Sequence, residues 1–276
     1  MSYMALGVGS YWRPYEDKAI ERYFGPQVSE ENAEYLFWRH NTECVSPHHY
    51  RQSLEIEERY LKTGRTQIIN PMTSYEYTNN KDDCFSVWEK EQVPCPKYFV
   101  YKSRDEFEAK RMDYPFLLRL NDGITGEDTY LIESDTELEH SFNAVEAAFN
   151  AKQRIHTERI CVQFIDTSIQ GGYNTSFRIT VAGDNVVSGY ARISDDWLAI
   201  TKQFTEEKKD AFVEQNKRIS SLIKNNHDKI VKCVHTLGLH HVGIDMITDH
   251  DDNLYFLEVQ PFYFCGNMNR TSPPKF

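Results

Sequence analysis

No stretch of this 276-residue chain approaches the roughly 18 uncharged apolar residues that a membrane-spanning helix needs. The N-terminal Met1-Ser-Tyr-Met-Ala-Leu-Gly7 has neither the basic start nor the apolar core of a secretory signal, so a cytoplasmic protein without membrane contact is expected. Basic residues are in deficit. Lys and Arg number 31 against 42 Asp and Glu, which gives a formal charge of −11 and a pI near 5.4. Binding to a phosphate backbone needs clustered cations, so nucleic acid is excluded as a general partner. The six cysteines, Cys44, Cys84, Cys95, Cys161, Cys233 and Cys265, form no Cys-x-x-Cys pair and read as reduced thiols, not as a disulfide framework or zinc site. Internal repeats and low-complexity tracts are also missing. Histidines cluster only as His48-His49 and His240-His241, and adjacent residues point apart in regular structure, which suits packing better than a shared metal.

What is present is an ordinary soluble composition, 40% hydrophobic and 26% charged, in a chain long enough for one large or two modest domains. The most informative segment is Val242-Gly-Ile-Asp-Met-Ile-Thr248, the acidic turn Asp249-His-Asp-Asp-Asn253, and Leu254-Tyr-Phe-Leu-Glu-Val-Gln260. It reads as a β-hairpin. At period two, Val242, Ile244 and Met246 share a face with Tyr255, Leu257 and Val259, while Asp245, Glu258 and Gln260 share the other. A turn centred between Asp251 and Asp252 sets Asp245 opposite Glu258, and facing like charges are destabilising unless neutralised. A bound cation would do this, and an all-oxygen donor set suits Mg²⁺. A solvated acidic face explains the segment equally well.

Three blocks precede or contain this hairpin. In the first, to about Asn80, Leu36-Phe-Trp38 reads as a strand, Tyr50 to Leu61 as a helix burying Leu54, Tyr60 and Leu61, and Thr66-Gln-Ile-Ile69 as a strand, together a parallel unit. Its aromatics, Tyr11, Trp12, Tyr15, Phe37 and Trp38, suit either core or substrate specificity. The second block has a helix near Asp82 to Glu91, a strand Lys97 to Tyr101, a helix opened by Ser103 with Glu106 as a capping box, and a strand Phe116-Leu-Leu-Arg-Leu120 entering the loop Asn121-Asp-Gly-Ile-Thr-Gly126. The third opens with strand Ile160 to Ile165. A hairpin follows in which Gly183-Asp-Asn185 joins Phe177–Val181 to Val186–Ile193. Phe177, Ile179, Val181, Val187, Ala191 and Ile193 fall on one face; Arg178 and Arg192 fall on the other, either solvated or forming an anion grip. A helix from about Glu206 to Leu237, bent near Asn225-Asn226, completes the chain before the acidic hairpin.

The order of these parts along residues 66 to 266 resembles the ATP-grasp superfamily, and specifically its compact carboxylate–amine ligases. The resemblance implies a mixed α+β and α/β architecture, the ATP-grasp fold, in which two α+β subdomains close over ATP beside a small N-terminal preATP-grasp domain. It divides the chain into a substrate domain at 1–80, a central lid subdomain with the phosphate loop at 81–160, and a subdomain with the metal site at 161–276. Lys81 and Arg119 look like the two phosphate-contacting cations, and Gly123 and Gly126 like the loop over the phosphates. Gln163, Phe164 and Ile165 look like the hinge against adenine, with Asp166 near the ribose and Lys202 as a further phosphate contact. Arg178 and Arg192 resemble the arginines that hold the transferred phosphoryl group and the acyl intermediate. Asp245, Glu258 and Gln260 resemble the magnesium ligands. Arginine replaces the family's usual lysine at 119, and glutamine its usual asparagine at 260.

ATP, two Mg²⁺ ions with Mn²⁺ as substitute, and a small-molecule or peptide carboxylate with an amine acceptor are the implied ligands. The expected reaction forms an amide or thioester through an acyl phosphate; a kinase of the same fold, or a nucleotide-binding protein without catalysis, are the alternatives. Homo-oligomerisation is left open.

Overall fold

The structure, a computed structural model, describes residues 3–6, 26, 28, 32–38, 47–64, 66–123, 126–152, 157–198 and 205–261. Tyr11, Trp12, Tyr15, Cys44, Lys202 and Cys265 lie outside them. Among the described residues no helix is long and apolar enough to cross a membrane.

Strands β1 (Tyr3–Leu6), β2 (Tyr35–Trp38) and β3 (Gln67–Ile69) form a parallel sheet, with helix α1 (Pro47–Thr63) crossing between β2 and β3 as the strand-helix-strand pattern requires. Tyr60 is buried against Leu36, Trp38 and Met72, but Leu61 is 62% exposed. One residue advances a helix by about 100°, which here carries Leu61 off the buried stripe that holds Tyr60. Glu57 enters this core by accepting from the Trp38 indole at 2.5 Å and the Met72 N–H at 2.6 Å; burial outweighs these bonds and raises its carboxyl above the usual value. Beyond β3, the buried Asn70 adopts φ 56° and joins this sheet to the C-terminal hairpin: its Oδ1 accepts from the His240 and His241 N–H groups, and its amide donates to the His241 and Pro261 carbonyls.

A 3₁₀ turn (Met72–Ser74) and the short α2 (Tyr75–Asn79) lead into α3 (Lys81–Lys90), β4 (Tyr98–Tyr101), α4 (Arg104–Lys110), β5 (Phe116–Leu120), β6 (Thr129–Ile132), α5 (Asp135–Ala151) and β7 (Arg159–Gln163). The four strands make an antiparallel sheet in the order β4-β7-β5-β6, and Phe107, Leu138, Phe142 and Val145 of the two helices close one face. Ser103 caps α4 by accepting from Glu106 N–H, and Ser134 caps α5 by accepting from Glu137 N–H.

Two-residue β8 (Ser168–Ile169), β9 (Tyr173–Ala182), β10 (Asn185–Ser194), α6 (Lys209–His235), β11 (His241–Thr248) and β12 (Leu254–Gln260) complete the described chain. Its sheet runs β10-β9-β11-β12, with β8 on β9. The β9–β10 turn is shorter than the sequence suggests, since Asn185 already pairs with Ala182, and a bulge between Val186 and Ser188 turns Val187 outward to 47% exposure. Helix α6 breaks at Asn226, whose φ of −124° is non-helical and whose amide donates to the Leu222 carbonyl. Trp88 of α3 is fully buried and donates its indole N–H to Cys233 O of α6 at 2.9 Å, which ties the two helices together within the core.

Candidate nucleotide and anion site

Lys81 is the first residue of α3, where Asp82 and Asp83 complement the positive end of the helix and Asn121 O accepts the Lys81 N–H at 3.2 Å. Alternation along β5 buries Phe116, Leu118 and Leu120 and turns Leu117 and Arg119 to the opposite face. The loop after β5 brings these cations together: Gly123 O accepts from Lys81 Nζ at 3.1 Å and from Arg119 Nη2 at 2.9 Å. A side chain at 123 would put its Cβ 2.8 Å from Glu127 O and 3.0 Å from Arg119 Nη2, so the close approach requires glycine. Gly126 has φ +82° and would place a Cβ 2.2 Å from Leu198 Cδ2. The ends of the loop are fastened by Asn121 to Asp82 at 2.7 Å, Thr157 to Asp122 at 2.9 Å, and Lys152 to Asp128 at 2.6 Å. Burial lowers the Lys81 ammonium below its usual value, aided by the Arg119 charge and opposed by Glu258; burial likewise lowers Arg119.

On the facing wall, Asp245 pairs with Glu258 across β11 and β12 and with Arg178 across β11 and β9. The register agrees with the sequence reading by two compensating departures. The turn sets Thr248 opposite Leu254, one step from the expected alignment, and a bulge at Leu257 restores it before the carboxylates. That bulge also reverses the phase beyond it: Leu254 and Phe256 are buried in the core, while Leu257 turns toward the site, which Ile247 joins by plain alternation from Asp245.

Neutralisation of the two carboxylates, assigned from sequence to a bound cation, is supplied here by side chains. Arg178 makes a bidentate pair with Asp245 and donates to Gln260 Oε1 at 2.6 Å, Arg192 reaches Asp245 at 3.1 Å, and Lys81 reaches Glu258 at 3.1 Å. Burial alone would raise the Glu258 carboxyl; Lys81, the Gln260 amide and Arg178 together pull it down to about 2. Burial would lower Arg178, but the Asp245 carboxylate outweighs it and raises the guanidinium above its ordinary value. Counting Arg119, four cations face two carboxylates, and the surplus is positive.

The donors also fit a divalent cation. Asp245, Glu258 and Gln260 offer only oxygen from adjacent strands, and among the described residues no group of three or more His, Cys, Asp or Glu forms a closed cage. Two carboxylates that depend on ligand phosphates to complete the shell are what Mg²⁺ prefers.

Lys81, Arg119, Arg178, Arg192, Asp245, Glu258 and Gln260 line one cavity of about 560 Å³. Leu117, Val162, Phe164, Ile165, Ile247 and Leu257 make part of its wall apolar. Of the residues singled out from sequence, Lys81, Arg119, Gly123, Gly126, Gln163, Phe164, Ile165, Arg178, Arg192, Asp245, Glu258 and Gln260 converge here. Asp166 does not line the cavity; its carboxylate accepts from Ser168 N–H at 2.9 Å and meets His250 Nε2 at 3.1 Å. Sequence reasoning missed Thr167, Thr175, Trp197, Leu198, Ile247 and Leu257; alternation from Asp245 could have given Ile247, whereas Leu257 depends on a bulge that no residue pattern announces.

Comparison with known proteins agrees with this arrangement. No curated protein matches the sequence. In structure the chain is similar to an L-amino acid ligase from Bacillus licheniformis (TM-score 0.59, 15% identity, 97% of this chain and 70% of that one). It is also similar to a RimK domain ATP-grasp protein from Sphaerobacter thermophilus (0.57, 14%, 98% and 95%) and to N5-carboxyaminoimidazole ribonucleotide synthetase from Thermotoga maritima (0.56, 13%, 95% and 68%). The chain spans only 61% of a similar D-alanine–D-alanine ligase from Coxiella burnetii and 59% of a purK synthetase solved with ADP. At these identities the likeness speaks for the ATP-grasp fold alone. The profile of the RimK-like ATP-grasp domain, by contrast, matches residues 78–263, the span that carries every group of the site from Lys81 to Gln260, and the chain belongs to that family.

Proposed function

We propose that this protein is an ATP-dependent carboxylate–amine or carboxylate–thiol ligase that activates its acid as an acyl phosphate and releases ADP and phosphate. The observation that carries the reading is the positive surplus on the wall of a partly apolar cavity, where among the described residues the buried Arg192 Nε has no hydrogen-bond partner. A carboxylate and a triphosphate repel each other, and such a cluster offsets that repulsion. Ligases among the structural neighbours support the same class.

In this reading adenine lies against Leu117, Val162 and Leu257 beside the backbone of Gln163 to Ile165. Lys81, Arg119 and the Gly123–Gly126 loop hold the phosphates, exchanging the Gly123 carbonyl for phosphate oxygens. Arg178 and Arg192 steady the transferred phosphoryl group and keep the acyl phosphate in place until an amine or thiol attacks. Asp245, Glu258 and Gln260 would hold Mg²⁺, which supplies charge neutralisation between the phosphates and the acid. The division at 1–80, 81–160 and 161–276 then separates substrate, lid and metal-binding parts.

Removing either phosphate cation should act on ATP and spare adenosine. Lys81→Ala and Arg119→Ala are each expected to weaken ATP binding by about 1 to 3 kcal/mol, the range for charge-assisted hydrogen bonds. Titration calorimetry with both ligands checks this, and an equal loss for adenosine would mean that the two residues only shape the loop.

Stoichiometry tests the reaction class. A scan of acids and amines should find ATP turnover that needs both, yielding ADP, free phosphate and a new amide. With the acid alone, hydroxylamine should trap an acyl hydroxamate. A stable phosphorylated product without free phosphate would make the protein a kinase, and ATP binding without turnover across the scan would remove catalysis altogether.

A further inference from the structure

A second cavity, of about 500 Å³, opens on the other face of the C-terminal sheet, and Thr175 leads to it. Thr175 alternates with Phe177 along β9 and pairs with Ile193 of β10, both buried, so its side chain lies on the core face, opposite Arg178 and Arg192. Helix α6 covers that face through Ile219 and Leu222. Gln215 and Arg218 of the same helix line the cavity with Thr175, and the Arg218 guanidinium stands 5.9 Å from the centre of the Phe177 ring. Thr175 is 3% exposed, and among the described residues its hydroxyl has no hydrogen-bond partner. A hydroxyl withdrawn from water in this way is costly, and natural sites tolerate it where a ligand completes the bond.

Ile169 apart, the wall is polar, which excludes an apolar ligand. Its charges narrow the choice. Asp249 is engaged within its own turn by Asp251 N–H at 3.0 Å and by the backbone and side-chain N–H groups of Asn253 at 2.9 Å, and His250 meets Asp166 at 3.1 Å. Arg218 donates to Gln215 Oε1 and Thr248 Oγ1, both at 3.2 Å, and pairs with Asp252, whose side chain is 73% exposed. A pair so open to water contributes little to the fold, and a ligand that returns both charges can open it. A lone anion on Arg218 would strand Asp252 beside Asp249, and a lone cation on Asp252 would strand Arg218. A zwitterion strands neither, and because the two partners touch each other its charges must lie as close together as they do on one α-carbon. We propose that this cavity binds a free α-amino acid with a small polar side chain, at a site separate from the nucleotide cavity. The carboxylate takes the guanidinium fork of Arg218, the ammonium takes Asp252, and the side chain reaches the Thr175 hydroxyl and the Gln215 carboxamide.

Titration calorimetry on the full chain tests this with serine, threonine, asparagine and glutamine, set against glycerate and ethanolamine, which each carry one of the two charges. At least one of the four amino acids should bind saturably, and glycerate and ethanolamine roughly tenfold or more weaker. Arg218→Gln should weaken the best of the four by roughly tenfold or more, and Thr175→Val by about fivefold, the ranges for a charge-assisted and a neutral hydrogen bond. Asp252→Asn should act in opposite directions, weakening the amino acid and tightening glycerate, because Arg218 is then released. Asparagine accepts the φ of 63° at that position, so the turn keeps its shape. Saturating Mg²⁺–ATP should leave the site in place. The proposal is overturned by no binding of any of the four, by unchanged affinity in Arg218→Gln or Thr175→Val, or by glycerate that fails to tighten in Asp252→Asn. Displacement by Mg²⁺–ATP would put the amino acid in the nucleotide cavity and overturn it as well. None of these readouts needs turnover, so failure of the ligase reading is distinguishable from failure of this one.

Discussion

Glu258→Gln is expected to remove turnover, by roughly a thousandfold or more, in a protein that still folds. Glu258 faces Asp245 across the hairpin and holds Lys81 at 3.1 Å, so the substitution removes the charge proposed to bind metal and the partner of a buried ammonium together. The variant stays folded because Lys81 keeps the Gly123 carbonyl and the new amide oxygen still accepts a hydrogen bond. Linkage gives the sign of the stability change. The Glu258 carboxyl lies near 2 when folded, below its ordinary 4.5, so its contribution is fully present above the ordinary value and is lost as pH falls through the folded one. That contribution is about 3 kcal/mol at neutral pH, well inside the 5 to 15 kcal/mol of a typical domain. Urea unfolding of both proteins should therefore show a gap that narrows as the pH is lowered from 5 toward 3. Full activity in the glutamine variant, or ATP binding that is the same in EDTA as in Mg²⁺, would sink the metal assignment.

How far the sequence specifies this site depends on whether the information is local. The helix break at Asn226 and the cap at Ser103 were readable because each is set by a few neighbouring residues. Ser134 with Glu137 carries the same capping signature and announces α5, which the sequence reading passed over. Arg119 was legible as a cavity residue because β5 alternates without interruption. Where alternation is broken by a bulge, at Val187 and at Leu257, period-two reasoning assigns the wrong face, since a bulge depends on the partner strand and leaves no mark in composition. The pairing of Asp245 with Glu258 emerged correctly only because the turn and the bulge displace the register by equal and opposite steps. Least legible was the internal pairing of the cations. Which arginine meets which carboxylate is a matter of strand order, β9 beside β11, and of side-chain reach, and neither is written locally.

That pairing leads to the second large effect. Arg178→Met should destabilise the fold by about 3 to 5 kcal/mol, the usual result of breaking a buried ion pair from one side. The side chains of Arg178 and Asp245 are only 10% and 13% exposed, and with Arg178 gone Asp245 retains Arg192 alone while facing Glu258. The cost lies in the stranded carboxylate more than in the lost contact, which a second substitution makes visible: Arg178→Met with Asp245→Leu should recover most of the stability, because an apolar pair of similar volume carries no desolvation penalty. Activity should remain lost in both, since the proposed anion grip is gone from each and a proposed metal ligand from the double variant. Divalent cation separates this from a packing defect. Millimolar Mg²⁺ should raise the unfolding midpoint of Arg178→Met more than that of the unaltered protein, because the cation then takes over a neutralisation that Arg178 otherwise performs. A single variant within about 1 kcal/mol of the unaltered protein, the range of a surface pair, would mean that Arg178 does not hold Asp245 in solution. The arginine would then stand free for substrate from the outset, and binding ATP with its metal would need no exchange of ion pairs.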